Sequence, residues 1–167
     1  MVAARTARRL HLHRISDLTS KARHLRLAGP RGCQRSPDCL PALRQAYGLR
    51  FRRFIAVRRD LVHEPIRTGL AAAAIVPTTD PRIGRGREVL LADDRHAFQG
   101  SPVVVVVRRE VARQGGAALG NAIERAGSAL SVQLMQELAA RVEFDQRPSA
   151  GVARRYLRAS GLLPRGG

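Results

Sequence analysis

Five valines in succession, Val103 to Val107, constrain the fold more than any other stretch of this 167-residue chain. Neighbouring residues of an extended strand point to opposite faces. Five β-branched residues in a row therefore predict a strand that needs cover on both sides, as at the centre of an α/β sheet. The remaining punctuation fits that class. HLRLAG and FRRFIAV read as strands, although Phe51, Arg53, Ile55 and Val57 do not alternate cleanly. AAAAIV reads as a buried strand and REVLLAD as another. Helices are predicted over residues 2 to 12, from Ser16-Asp17-Leu18 onward, over Leu40 to Tyr47 with Pro41 in the first turn and Gly48 at the end, and over Pro65 to Gly69. The last third is helical. Ser131 is an N-cap for a helix whose Val132, Met135, Leu138 and Val142 form one stripe. Pro148 opens another helix, carrying Val152, Tyr156 and Leu157, which Gly161 ends. Strands alternating with helices and a helical tail define an α/β pattern.

With 44% apolar positions the chain can build a core. Its net charge of +17 points at first to nucleic acid. Only Lys21 among the thirty basic residues is lysine, however, and the excess is uneven. Residues 1 to 60 hold fifteen basic and three acidic side chains, the other 107 hold fifteen and ten. The basic third carries no block of cations interleaved with aromatics and no recognition helix, so nucleic-acid binding is disfavoured against a solvated basic surface. The longest apolar runs, LAAAAIVP and PVVVVV, fall far short of the ~20 residues of a membrane helix. MVAARTARRLHLHRISDL lacks the apolar h-region of a secretory signal.

The sequence carries few of the motifs that mark a chemistry. No phosphate-binding loop, GxGxxG or HExxH occurs, and His11, His13, His24, His63 and His96 are scattered. The two cysteines, Cys33 and Cys39, leave three readings open: metal ligands, a redox pair, or a staple. Their spacing is not CxxC, and two cysteines with loose histidines make a poor zinc set. Asp93 and Asp94 are adjacent, so an extended chain sends them to opposite sides and they read as a charged turn rather than a carboxylate pair. Ser16-Asp17 reads as a helix cap. Nothing marks an enzyme, and no cofactor is expected.

Four segments in order, over residues 14 to 163, resemble the glycine betaine/carnitine/choline substrate-binding proteins of ABC transporters. They are GPRGCQRSPDCLPALRQAYGL, RTGLAAAAIVPTTDPRI, LLADDRHAFQGSPVVVVVRREV and SVQLMQELAARVEFDQRPSAGVARRYLRASGLL. The resemblance implies a type II periplasmic-binding-protein-like α/β fold. Residues 5 to 90 would correspond to lobe two and residues 91 to 167 to the returning part of lobe one, with the N-terminal half of the fold missing. It implies a Cys33–Cys39 disulfide, natural in an oxidising compartment; chain entropy puts so short a staple at about 2.4 kcal/mol. It also implies an extracytoplasmic location, periplasmic or lipid-anchored, although the chain as written shows no signal.

What such a protein would bind follows from the same resemblance. The solute is a small quaternary ammonium compound held in an aromatic cage by cation–π attraction, and closure of the clamp signals to an ABC permease. The expected contacts are Thr78, Thr79, Asp80, Phe98 and Ser101. A separate N-terminal half is the other expected partner. The sequence departs from the family pattern at the cage. The aromatic of the family's Pro-Pro-Tyr turn falls on Ser101, and Pro77 stands where relatives often carry Phe or Tyr. The family acidic residue falls on Ala72, the Glu before the first cysteine on Gly32, and the Arg between the cysteines on Ser36. A descendant of the fold without betaine binding, and a basic nucleic-acid-binding module, are the alternatives.

Overall fold

A computed structural model describes residues 1–83, 87–98, 100 and 104–163. The chain divides into two compact units, Met1–Thr78 with Arg82–Gly100, and Thr79–Pro81 with Ser101–Gly167.

The first unit is built on a five-stranded mixed sheet. Its strands are β1 (Val2–Ala3), β2 (Arg26–Pro30), β3 (Arg53–Val57), β4 (Ala73–Ala74) and β5 (Glu88–Val89), in the order β3-β2-β4-β1-β5. β2 runs parallel to β3 and β4, while β1 pairs antiparallel with β4 and β5. The period of two along each strand sorts side chains onto two cores. Val2, Leu27 and Ala73 face the larger one, with Leu12, Ile15, Leu18, Leu43, Tyr47, Leu49 and Leu91. Ala3, Ala28 and Ala74 face the smaller one, with Val62, Ile66 and Ala71. Both faces of the sheet are therefore covered, which is what parallel strands require.

Helices α1 (Ala4–Leu10), α2 (Leu40–Tyr47) and α3 (Glu64–Arg67) complete this unit. Helix α2 begins with proline in its first turn and stops at Gly48, whose φ of 65° is left-handed and free of strain only for glycine. His63, at the start of α3, meets Glu88 of β5 with Nδ1 and Oε2 2.8 Å apart, both side chains buried or nearly so. This pair ties the smaller core to the edge of the sheet.

Several elements differ from the sequence reading. Val2 and Ala3 are a strand rather than the start of a helix, because β4 and β5 offer them hydrogen-bonding edges that a helix would forgo. Ile15–Leu18 is a single 3-10 turn, closed when Asp17 accepts the backbone N–H groups of His13 and Arg14. The apolar run at 71–76 contributes only Ala73 and Ala74 as strand, and REVLLAD only Glu88 and Val89, followed by an isolated bridge between Arg14 and Ala92.

The largest departure is the valine run. Residues 104–107 form no strand, and Val106 is 90% exposed; Val103 lies outside the described residues. Strand propensity needs a neighbouring strand to be realised, and no pairing reaches these residues among those described.

The second unit is helical: α4 (Arg109–Ser128), α5 (Val132–Glu143) and α6 (Ser149–Ala159). Helix α4 is interrupted at Gly116 (φ 50°, ψ −148°) and buries no residue. Ser131 caps α5, its Oγ accepting from the Leu134 N–H at 3.1 Å. Helices α5 and α6 pack together, and Tyr156 Oη donates to the Ala129 carbonyl at 3.1 Å. Of the predicted α5 stripe, Val132 and Val142 are exposed, while Ala140 is the buried residue.

Candidate functional site

Open parallel sheets bind ligands beyond the carboxyl ends of their strands, and three segments leave the first unit's parallel strands there. The first follows β2. It is the loop 31–39, closed by a disulfide between Cys33 and Cys39 and by a 3.1 Å hydrogen bond from the Leu40 N–H to the Cys33 carbonyl. Gly32 turns the chain into this loop at φ 87°. Gly29, inside β2, is needed for a different reason: a Cβ there would lie 2.9 Å from the Phe54 ring and 3.4 Å from Cys33 Sγ. The loop thus sits on a strand with no room for a side chain, and Cys33 is buried.

The second segment follows β3, where Arg58 and Asp60 form an exposed ion pair at 2.7 Å. The third follows β4 and carries Pro77, Thr78, Thr79 and Asp80. Thr78 is exposed, Thr79 half-buried and Asp80 buried. Thr78 belongs to the first compact unit, whereas Thr79 and Asp80 belong to the second.

Phe98 is placed by a network that spacing alone does not reveal. Asp93 Oδ1 accepts from Tyr47 Oη at 2.5 Å and from the Ala97 N–H at 3.0 Å, while Oδ2 accepts from the Phe98 N–H at 2.9 Å. Tyr47 Oη in turn accepts from the Arg95 N–H at 2.8 Å. Burial pushes the Asp93 carboxyl up, but the bonds from Tyr47, Phe98 and Ala97 outweigh it and hold it below the usual carboxylate range. Burial, and then the bond to Asp93, push the Tyr47 phenol well above its ordinary value. Asp94 accepts the Ser16 N–H at 3.2 Å and also interacts with the Tyr47 hydroxyl. Asp93 and Tyr47 are the site residues the sequence reading missed; their partnership spans 46 positions and leaves no local signal.

The aromatic inventory bears on cation recognition. Tyr47 is 2% exposed and the Arg95 guanidinium lies over its ring, 5.4 Å from the centroid. Phe51, Phe54 and Phe98 pack, partly buried, against the larger core. The first unit's aromatic side chains are thus all engaged with its own core or, for Tyr47, with Arg95 as well. Ser101, the remaining expected contact, lies outside the described residues. No group of three or more His, Cys, Asp or Glu side chains that could hold a metal occurs among the described residues.

Residues 1–159 match the family model for the substrate-binding domain of the ABC-type glycine betaine transport system. The chain belongs to that family, a transport family rather than a catalytic one. The structure is similar to the crystal structure of a glycine betaine/carnitine/choline ABC transporter protein, with a TM-score of 0.78, 26% identity and coverage of 97% of this chain. It is also similar in fold to apo YehZ from Escherichia coli, at a TM-score of 0.60, 21% identity and the same 97% coverage. The chain spans 59% and 61% of the lengths of these two proteins. Curated proteins gave no match.

Proposed function

We propose that this chain is the substrate-binding component, or part of one, of an ABC transporter for quaternary ammonium osmoprotectants such as glycine betaine or choline. The observation that carries the reading is the family match over residues 1–159. Thr78, Thr79, Asp80, Phe98 and Ser101 supply its ligand contacts, the hydroxyls and the carboxylate serving the polar end of the solute. In this reading residues 5 to 90 act as lobe two and residues 91 to 167 as the returning part of lobe one. An ABC permease is the partner that receives the solute, and the working location is extracytoplasmic. The part of the fold that the longer relatives possess and these 167 residues do not cover completes the cage.

One observation favours a second reading, a descendant of the fold that binds a different small polar solute. The first unit's aromatics are spent on its own packing, and Arg95 occupies the Tyr47 face. A cage needs free faces, each contributing ~0.5–2 kcal/mol to a bound cation. Calorimetric titration of the purified chain with glycine betaine, choline and a DNA duplex separates these readings. Saturable heat with either betaine or choline supports the first. No heat with either, but strengthened binding in Ser101→Tyr, places the deficit in the cage. Silence in both proteins favours the second, and heat with the duplex alone would revive the basic-module alternative.

A further inference from the structure

The opposite edge of the sheet, where the parallel strands begin, gathers positive charge in a way that packing does not explain. A cavity of about 370 Å³ opens there, lined by the polar side chains of Arg5, Thr6, Arg9, His24 and Arg26 together with Leu25, Ile66 and residues 69–72. A second cavity of about 300 Å³ adjoins it, lined by His24, Arg26, Arg52 and Arg53 alone. Because His24 and Arg26 line both, the two form one trough within the first unit.

Two like-charge pairs converge on this trough. Arg5 and Arg9 stand four residues apart on α1 and so share one face of that helix. Arg26 and Arg53 are register partners at the starts of β2 and β3, so their side chains leave the same face of the sheet one strand spacing apart. Either arrangement is destabilising when uncompensated. The C-terminal end of α1 offers Arg9 a favourable dipole, but this accounts for neither Arg5 nor the Arg26–Arg53 pair. Among the described residues no carboxylate lines either cavity, and none of Arg5, Arg9, Arg26, Arg52 or Arg53 forms a salt bridge.

The uncharged groups of the trough are also donors. Arg23 Nε bonds His24 Nε2 at 3.1 Å, which fixes that nitrogen as the acceptor and leaves Nδ1–H to donate. Thr6 adds a hydroxyl. The open side of Gly69, at φ 76°, is approached by Arg5, whose Nη2 would lie 3.5 Å from a Cβ added there.

We propose that this trough is a binding site for a phosphate-bearing ligand, seated between Arg5 and Arg9 on one side and Arg26 and Arg53 on the other. Guanidinium forks match phosphate oxygens bidentately, and a dianion relieves both like-charge pairs at once. A concave site of this volume takes one phosphorylated small molecule or one lipid headgroup. Its concavity suits such a compact anion rather than a duplex, which is read by an element projecting into a groove. The site lies at the amino ends of the parallel strands, shares no residue with the contacts assigned to the transported solute, and does not rest on that assignment.

The test uses the whole chain in phosphate-free buffer, titrated calorimetrically with inorganic phosphate and sedimented with vesicles of phosphatidylglycerol or of phosphatidylcholine alone. The expected result is saturable binding of phosphate, or of phosphatidylglycerol vesicles in preference to phosphatidylcholine. Binding should be weakened at least tenfold by Arg26→Gln with Arg53→Gln and unchanged by Arg154→Gln with Arg155→Gln on α6. Phosphate binding without vesicle binding assigns a soluble ligand, and vesicle binding assigns a headgroup. A thermal readout guards against mere misfolding. Arg53→Gln, freed of its like-charged neighbour, should melt above the parent without phosphate and lose the upward shift that phosphate gives the parent. No binding in either arm, equal loss in the α6 variant, or tighter binding of a DNA duplex than of either probe would overturn the proposal.

Discussion

The two units of this molecule solve the burial problem with different success. The first closes its short strands between two cores, with Val2, Leu12, Leu27, Ala28 and Leu49 essentially sealed from solvent. In the second, only Ala140 and Val152 are buried apolar residues among those described, and nine of the twelve exposed large apolar side chains belong to it. The content of apolar residues does not separate the two. What separates them is whether each apolar side chain finds partners on the faces it presents, since transfer from water is favourable only where something covers it. Strands as short as two residues are held in the first unit because neighbours pair with them, β1 and β4 each lying between two strands, while the valines at 104–107 in the second unit do not make one.

The sharpest way to break this comparison is amide hydrogen exchange. Residues 104–107 should exchange at near-unprotected rates, and Leu27 and Ala28 should exchange only with global opening. That contrast is worth roughly 5 kcal/mol or more in opening free energy. Equal protection in the two stretches in a monomer would mean that the valine run does find cover within the chain, and the contrast drawn here would collapse.

Truncation of cores comes next. Leu27→Ala should destabilise the first unit by about 3 kcal/mol, in line with fully buried leucines. Val142→Ala, at an exposed position of α5, should cost under about 0.5 kcal/mol. Urea midpoints followed by circular dichroism measure both, and comparable losses would contradict the asymmetry. Replacing Cys33 and Cys39 together by serine should cost about 2 kcal/mol through the freed loop, with a reducing agent giving the parent the same loss. Gly29→Ala follows at about 1–3 kcal/mol, because the new methyl must displace the Phe54 ring.

The smallest expected effect carries a pH signature. Asp93→Asn should cost about 1–2 kcal/mol at neutral pH by weakening the bonds to Tyr47, Ala97 and Phe98. The Asp93 carboxyl is held low in the folded state, so the unfolded state takes up its proton first on acidification. The stability it contributes is complete above the ordinary unfolded value of about 3.9. It disappears as the pH falls through the lower folded-state value. The gap between parent and variant should therefore narrow only under acid conditions; a gap of constant size across that range would show that the bonds do not depend on the carboxylate's charge.

Sequence was a good guide where local chemistry decides. Helix α2 was bounded correctly because Pro41 and Gly48 punctuate it, and α5 was placed by Ser131. Strands β2 and β3 were legible as apolar runs between breakers. Where distant pairing decides, the sequence misled. Val2–Ala3 has no local strand signal and becomes one through partners at Ala73 and Val89, while Val103 to Val107 has the strongest signal and, over its described residues, no partner. The same limit applied to chemistry. The basic excess of residues 1 to 60 was countable, but its convergence from α1, β2 and β3 on one trough is a property of topology. Asp93 read as part of a charged turn, which it is; that it also holds Phe98 and Tyr47 could not be read from the turn.

The position of β1 bears on how the molecule is assembled in time. Val2 has its hydrogen-bonding partners more than seventy residues along the chain, at Ala73 on one side and Val89 on the other. Contacts of such separation carry the entropy of closing a long loop before they return any stabilisation. During synthesis this dipeptide emerges long before the residues that will flank it. The parallel β2–β3 pair, some twenty-seven residues apart in register, can form while β1 still waits. Insertion of β1 between β4 and β5 then completes the sheet, so residues made well before their partners are among the last to be locked in place.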